Sequence, residues 1–90
     1  MNCDGANVSG KFNTFNGPHE FKSNLSQHIS QFQSSNAVYT YNNVADLKGG
    51  FTGAVGPEEF HIQFSHSNAS IVGRLDVPLP ERYQVAGHSS

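Results

Sequence analysis

A two-residue periodicity runs through residues 47–77, LKGGFTGAVGPEEFHIQFSHSNASIVGRLDV, in which large apolar residues or glycines alternate with more polar positions. Successive side chains of a β-strand point to opposite faces, so this alternation predicts strands with one buried face. Turn signals at Gly56-Pro57 and Ser67-Asn68 divide the stretch. The sequence therefore predicts an antiparallel meander of three strands near 47–55, 58–66 and 69–77.

Loop length decides which residues of these hairpins face each other. A two-residue loop at 56–57 places Gly53 opposite Phe60, and a two-residue loop at the next turn places Phe60 opposite Leu75. A longer loop over residues 56–59 keeps the same faces and shifts the partners by two, so both registers stay open there. In either case glycines share the inner face with large side chains, which predicts a curved sheet.

Upstream of the meander the spacing of apolar residues changes. They recur at Phe21, Leu25, Ile29 and Phe32, positions that share one side of an α-helix. Pro18 suits the first turn of a helix, and the Ser-Ser-Asn sequence at residues 34–36 suits its end. We therefore expect a helix near residues 18–34.

Two further segments complete the predicted fold. Residues 8–15 alternate in polarity, and residues 37–42, AVYTYN, are rich in β-formers, so each predicts a strand. The result is an α+β fold of order β-α-β-β-β-β, in which one helix in the N-terminal half packs on a curved antiparallel sheet of four to five strands. Ninety residues leave room for one domain, 1–90, and we expect the tails near 1–7 and 84–90 to fray.

Composition excludes several classes of partner. The net charge is −2, and the five cationic side chains are scattered, which predicts no nucleic-acid binding. No apolar run approaches the roughly 20 residues that span a bilayer, so we expect no membrane insertion. The single cysteine, Cys3, has no second cysteine for an internal disulfide. A cytoplasmic location is the default expectation, and secretion after removal of a signal peptide stays open.

Motifs for catalysis and cofactors are weak. The glycines of residues 49–56 match neither a P-loop nor a dinucleotide-binding fingerprint, because a hairpin follows where those motifs need a helix. The five histidines, at positions 19, 28, 61, 66 and 88, do not share one face of the predicted fold. We expect no metal, no cofactor and no catalytic set, and the sequence favours a protein that is not an enzyme.

The predicted register gathers ionisable side chains on the outer face of the last two strands. A two-residue loop at 67–68 places Glu59 opposite Asp76 and His61 opposite Arg74. Such a quartet is a candidate binding surface, and in an enzyme it would orient His61 as a general base. A solvated charge cluster is the simpler interpretation, since no nucleophile or oxyanion donor is identifiable beside it.

Tyr39 and Tyr41 share one face of the strand predicted near 37–42. If Val38 points inward, the two tyrosines stand in solvent as a partner surface or sugar platform. If the tyrosines point inward, they are core aromatics with hydroxyls at the rim. We favour the second arrangement, because a small domain needs the buried area.

These observations lead to two functional hypotheses. The first is a non-enzymatic binding or assembly module that takes a protein partner or a second copy of itself. The alternative is a small ligand-binding protein or acid–base enzyme that uses a pocket between helix and sheet, with His66 at its mouth. A cavity of about 300 Å³ or more inside the fold would favour the alternative.

Overall fold

The computed structural model describes residues 1–15 and 17–89, which form one curled antiparallel sheet, a half-barrel, without an α-helix. The strands in this part of the chain are β1 (Asn2–Cys3), β2 (Asn7–Thr14), β3 (Gly17–Leu25), β4 (Phe32–Gln33), β5 (Val38–Thr40), β6 (Gly49–Val55), β7 (Glu59–Phe64), β8 (Ser70–Arg74) and β9 (Tyr83–Ser89). Their order in the sheet is β4-β1-β2-β3-β9-β6-β7-β8-β5, and a 3-10 turn spans Val44–Leu47. The predicted α+β fold is therefore wrong.

The first part of the expected helix is strand β3, which pairs with β2. A spacing of four is even, so Phe21 and Leu25 share a face of a strand as well as of a helix. Ser23, between them on that face, is buried, and its hydroxyl donates a hydrogen bond to the Val8 carbonyl at 3.2 Å. Lys22, Ser23 and Asn24 lie between these two apolar residues, and serine and asparagine favour helices weakly, so pairing with β2 prevails.

The second part of the expected helix, residues 26–34, is irregular except for β4. Its apolar residues still enter the core. Ile29 is buried, and its backbone N–H donates to the Gly5 carbonyl at 2.9 Å. The buried ring of Phe32 packs against Phe60, with 5.7 Å between ring centroids. These residues are buried as predicted, but through contacts distant in sequence.

The C-terminal segment, which composition predicts to be a loose tail, forms the central strand β9. This strand pairs with β3 on one side and β6 on the other. Val85 and Ser89 are buried, and the Ser89 hydroxyl donates to the Lys22 carbonyl at 3.0 Å. At Gly87 a Cβ would collide with the Asn24 carbonyl and lie 2.6 Å from the Phe51 ring. Small residues here therefore allow close packing.

The meander of β6, β7 and β8 is confirmed, and its first turn is the longer alternative. Val55 faces Phe60 across a loop of residues 56–59, and Gly53 faces Ile62. The backbone of Gly56 has φ of 89°, a left-handed conformation that favours glycine. Its N–H donates to the Glu59 carbonyl at 2.7 Å and closes the loop.

At the second turn the predicted two-residue loop is wrong. Ile62 faces Ile71, and the Phe64 N–H donates to the Ala69 carbonyl at 3.1 Å, so the loop spans residues 65–68. Inner residues still face inner residues, because the shift is even. Gly73 now faces Phe60, and a Cβ there would lie 2.8 Å from the Phe60 ring.

Side chains fill the concave side of the sheet where the helix was expected. The largest fully buried side chains are Val8, Phe51, Val55, Ile62 and Ile71. Phenylalanine rings pack edge to face beside them, with centroids 6.0 Å apart for Phe21 and Phe64 and 5.6 Å apart for Phe51 and Phe64. The sheet therefore closes over its own core.

The two edge strands, β4 and β5, are joined by residues 34–37, and hydrogen bonds tie this connection to the chain after β8. The Gln33 carbonyl accepts the Asp76 N–H at 2.8 Å. One carboxylate oxygen of Asp76 accepts the Ser35 N–H at 3.0 Å and the Ser35 hydroxyl at 2.8 Å. The side-chain oxygen of Asn36 accepts the Arg74 N–H at 3.0 Å. These bonds close one end of the half-barrel.

Replacement of Asp76 by asparagine is expected to make the stability of the protein less dependent on pH in the acid range. The hydrogen bonds from Ser35 hold the pKa of the Asp76 carboxyl below its usual range. A folded pKa below the unfolded one adds stability above the ordinary carboxyl pKa of about 3.9, and this is lost as pH falls through the folded pKa. The melting temperature of Asp76→Asn should therefore fall less steeply than that of the wild type below about pH 4.

The matched control for this experiment is Asp4→Asn. The pKa of Asp4 is also lowered, because its carboxylate accepts the Ala6 and Asn7 N–H groups. Each single variant should keep the part of the fall in melting temperature at acid pH that comes from the other carboxyl. The double variant should lose both parts. Thermal scans between pH 2 and 6 would show this, and an unchanged fall at acid pH in Asp76→Asn would contradict the assigned role of Ser35.

Candidate functional site

The half-barrel has an open side between β2 and β5. β1 pairs with β2 only at Val8 and Ser9, so residues 10–13 of β2 have no paired strand on that side within the described chain. β5 pairs with β8 alone among the described strands. The side chain of Tyr39 crosses this gap from β5, and its hydroxyl lies against the Cα of Gly10 in β2. We call this region the open side.

Four aromatic rings line the open side and the strand next to it. The ring of Phe12 stacks on Tyr39 with centroids 4.6 Å apart and planes 21° apart. Tyr41 contacts the Phe12 ring edge-on, with centroids 5.5 Å apart. The His19 ring stacks on Phe12 from the paired strand β3, with centroids 6.1 Å apart. We call Phe12, His19, Tyr39 and Tyr41 the aromatic cluster. Both tyrosines pack against the core, as the favoured arrangement from sequence has it.

The hydroxyl of Tyr39 differs from that arrangement, because it lies inside the fold and not at the rim. It is buried and makes no hydrogen bond within the described structure. Burial raises the pKa of this hydroxyl. A buried hydroxyl without a partner loses its hydration and gains no bond in return. The Tyr39 hydroxyl is therefore a destabilising group at the centre of the open side.

Tyr39→Phe is expected to raise the free energy of unfolding by about 1 kcal/mol, because it removes an unpaired buried hydroxyl. Gly10→Ala should lower it by about 1–3 kcal/mol, since the new methyl group meets that hydroxyl. In the Tyr39→Phe background the loss from Gly10→Ala should shrink. Urea denaturation of the two single variants and the double variant measures this coupling.

Tyr41→Phe is the matched control, since Tyr41 is half-buried in the same cluster and its hydroxyl is not among the unpartnered buried atoms. It should leave the loss from Gly10→Ala unchanged. Equal losses from Gly10→Ala in all three backgrounds would show that the Tyr39 hydroxyl does not occupy the space beside Gly10.

Strands β2 and β3 extend beyond their neighbours as a two-stranded ribbon, made of residues 11–14 and 17–22. β9 pairs with β3 only over Ser23–Leu25, so the ribbon has no further paired strand on that side among the described residues. Phe15 stands at its tip with its side chain fully exposed, at 103%. An isolated two-stranded ribbon has little stability in water, so the cluster around Phe12 anchors this one to the sheet.

The predicted quartet is not brought together as expected. Glu59 faces Arg74 directly, and His61 faces Val72, because the longer loop shifts the register by two. Asp76 belongs to the bonds that close the half-barrel. Glu59 and Arg74 are both exposed, and their charged groups are not within 4 Å of each other. Among the described residues, a contact of that kind joins Lys22 to Glu20, at 3.0 Å.

A small apolar strip accompanies these residues on the outer face of the sheet. Val38 of β5 faces Val72 of β8, and they are 56% and 38% exposed. His61 continues the row on β7. The strip lies beside Arg74 and Glu59, so this face presents apolar area with charges at one border.

A groove of about 440 Å³ lies at the closed end of the half-barrel, between β1, β4 and the chain after β8. Its apolar wall is Phe32, Val77 and Leu79. Asp4 and Asp76 also line it, but both carboxylates accept hydrogen bonds from nearby backbone groups. It is an open groove on the surface, not a cavity inside the fold.

Reactive and metal-binding groups are sparse in the part of the chain that the structure describes. No group of three or more histidine, cysteine or acidic side chains is arranged to hold a metal ion in residues 1–15 and 17–89. The thiol of Cys3 is buried, which raises its pKa and lowers its reactivity. Within the same residues, no helix is long and apolar enough to cross a membrane.

Comparison of the chain with models of protein families, with curated proteins and with solved structures finds no match. Sequence reasoning missed Phe12 and Phe15 as surface residues of interest. One local signal points to Phe15: it directly precedes Asn16-Gly17, a dipeptide typical of tight hairpin turns. An aromatic residue beside such a turn has no neighbouring strand to cover it.

Proposed function

We propose that this protein is a non-enzymatic binding or assembly module, which docks a protein partner or a second copy of itself at the ribbon and the open side. The observation that carries the proposal is Phe15, a fully exposed aromatic side chain at the tip of a projecting ribbon. Exposed aromatic side chains are common anchors of protein interfaces, because they bury much area at low entropic cost.

The surroundings of Phe15 support the same interpretation. The aromatic cluster is only partly buried, and the Val38–Val72 strip adds apolar area on the outer face near β5. Partly buried aromatic groups bordered by charged groups are typical of interface cores and rims. Of the residues predicted from sequence, Tyr39 and Tyr41 lie in this region, and Glu59, His61 and Arg74 border the strip.

The alternative function, ligand binding or acid–base chemistry between helix and sheet, has less support. The helix that would form one wall is absent from the described chain. The concave side of the sheet holds phenylalanine rings in mutual contact. His66, the residue expected at the mouth, is exposed in the loop after β7.

Phe15→Ser tests the proposed function in its self-association form. Light scattering across a dilution series should show more than one chain per particle for the wild type and a shift toward the monomer for the variant. The matched control is Val77→Ser, because Val77 is also exposed, at 73%, but lies after β8. Both variants should keep the wild-type melting temperature, since surface substitutions usually change stability by less than about 0.5 kcal/mol.

Two results would count against this proposal. A wild-type protein that is monomeric at every concentration would remove self-assembly. Equal loss of association in Phe15→Ser and Val77→Ser would remove Phe15 as the anchor.

A further inference from the structure

We infer that the open side accepts one extended strand from a partner protein, which lies between β2 and β5 and is antiparallel to both. This inference rests on the proposed binding function and specifies how the partner is held. Three observations support it: the direction of the backbone hydrogen-bonding groups along the two edges, the position of β1 in the neighbouring part of the gap and the difference between the two edges of the ribbon.

The edge of β2 that faces the open side carries the backbone groups of the odd-numbered residues. In an antiparallel pair, successive residues direct their N–H and C=O groups alternately toward and away from the partner strand. The Leu25 N–H donates to the Ala6 carbonyl and the Asp4 N–H to the Asn7 carbonyl, so even-numbered residues of β2 face β3 and odd-numbered residues face the β1 side. Lys11 and Asn13 therefore present their backbone groups to the open side.

The edge of β5 that faces the open side carries the backbone groups of Tyr39. The Leu75 N–H donates to the Glu58 carbonyl, which shows that odd-numbered residues of β8 face β7 and even-numbered residues face β5. Ser70 and Val72 therefore bond to β5, and the residue between their partners, Tyr39, directs its N–H and C=O toward the open side. Two edges with complementary groups face one gap.

The gap continues a lane that already holds a single strand. β1 lies between β2 and β4 and pairs with both. β5 follows β4 along the chain after residues 34–37. The open side, between β2 and β5, therefore continues the space between β2 and β4 that β1 occupies. Met1 still occupies this space beside Gly10, since a Cβ at Gly10 would lie 3.4 Å from the Met1 Cα, so the unoccupied part of the gap begins at Lys11.

The two edges of the ribbon differ in a way that favours this side. On the β3 edge, Pro18 has no N–H to donate, and the Lys22–Glu20 ion pair at 3.0 Å lies along the same edge. Proline and charged side chains are the usual means by which proteins block an exposed sheet edge. The β2 edge has an exposed lysine, Lys11, but no proline.

The surroundings of the gap define the chemistry of the partner. The inward face of the added strand would lie on the rings of Phe12 and Tyr39, which suits valine or another apolar residue. The outward face would lie beside the exposed ammonium of Lys11, which suits a carboxylate. The partner segment is therefore an extended terminus or loop in which apolar and acidic residues alternate.

The probe is a capped hexapeptide of alternating valine and aspartate, titrated into the full chain and followed through backbone amide NMR signals. We expect shifts confined to residues 11–13 and 39 and to their neighbours. Asn13→Pro removes one outward N–H and no bond within the ribbon, and it should weaken binding by about tenfold. Lys11→Pro, which removes one outward N–H together with the Lys11 ammonium, is the second variant, should Asn13→Pro unfold the ribbon.

Glu20→Pro is the matched control, because Glu20 directs its N–H to the other edge of the ribbon. It should bind the peptide like the wild type. A peptide N-methylated at alternate amides should not bind. Three results would overturn the inference. They are binding by Asn13→Pro and Lys11→Pro that equals binding by the wild type, binding of the methylated peptide that equals binding of the unmethylated one, and an absence of shifts at millimolar peptide.

A concentration-dependent change at Lys11 and Asn13 in the Phe15→Ser variant without peptide would also overturn it, because a second copy of the chain would then fill the gap without using Phe15. Failure of the inference is distinguishable from failure of the proposed function. Phe15→Ser reports on self-association by light scattering, whereas the proline variants report on peptide binding and leave Phe15 in place.

Discussion

Gly53→Ala is expected to lower the free energy of unfolding by about 3 kcal/mol, at the upper end of the usual cost of overpacking. A Cβ at this position would collide with the His61 carbonyl oxygen and lie 3.0 Å from the Cα of Ile62. Both atoms belong to the backbone of the paired strand β7, so neither rotates away. The two strands would have to separate at the centre of the sheet.

Gly50→Ala is the matched control on the same strand. The nearest atom to a Cβ at Gly50 is the Gly87 carbonyl oxygen at 3.9 Å, an ordinary contact. We expect a change within about 0.5 kcal/mol there. Urea denaturation with a common slope measures both variants. Similar stabilities for Gly53→Ala and Gly50→Ala would show that β6 and β7 do not approach as closely as the structure has them.

Ile62→Ala should cost about 2–5 kcal/mol, because it leaves a cavity in the centre of the core. Ile62 is 1% exposed and faces Ile71, which is fully buried. Neighbouring side chains held in sheet ladders relax only partly into such a space. Thermal and urea denaturation should agree on the loss.

Two variants calibrate this result. Leu25→Ala would cost as much as Ile62→Ala if residues 18–34 were a helix on the sheet, but Leu25 is half-buried at the end of β3 and should cost clearly less. Val38→Ala, at an exposed position of β5, should change stability by less than about 0.5 kcal/mol. Equal losses for Leu25→Ala and Ile62→Ala would favour the helix predicted near residues 18–34 over strand β3.

The candidate site was predictable only in part. Tyr39 and Tyr41 stand out because of their residue type, but which face they occupy depends on β8, with which β5 pairs. The predicted arrangement of Glu59, His61, Arg74 and Asp76 does not form, because it required a two-residue loop at 67–68 and the loop has four residues. A shift of two residues preserves the buried face and exchanges every exposed neighbour. Predictions about surface clusters are therefore more fragile than predictions about the core.

The helix prediction failed for a different reason. Phe21, Leu25 and Ile29 are spaced by four, which is compatible with one face of a helix and with one face of a strand. Local preference did not resolve the ambiguity, since three of the six residues between them are serine or asparagine, which favour helices weakly. Partners distant in sequence did: β2 pairs with residues 17–24, and β9 pairs with the end of β3.

The alternation in residues 47–77 was sufficient to predict three strands and their buried faces, because side-chain direction in a strand depends only on position along it. Whether a segment pairs, with which strand and in what register depends on contacts that no local pattern contains. β9 shows this most clearly: its Ala-Gly-His-Ser end has the composition of a loose tail, yet β6 pairs along the whole strand and β3 pairs with residues 87–89. The open side likewise exists because β1 is short and pairs with β2 only at Val8 and Ser9, while β5 pairs with β8 alone among the described strands.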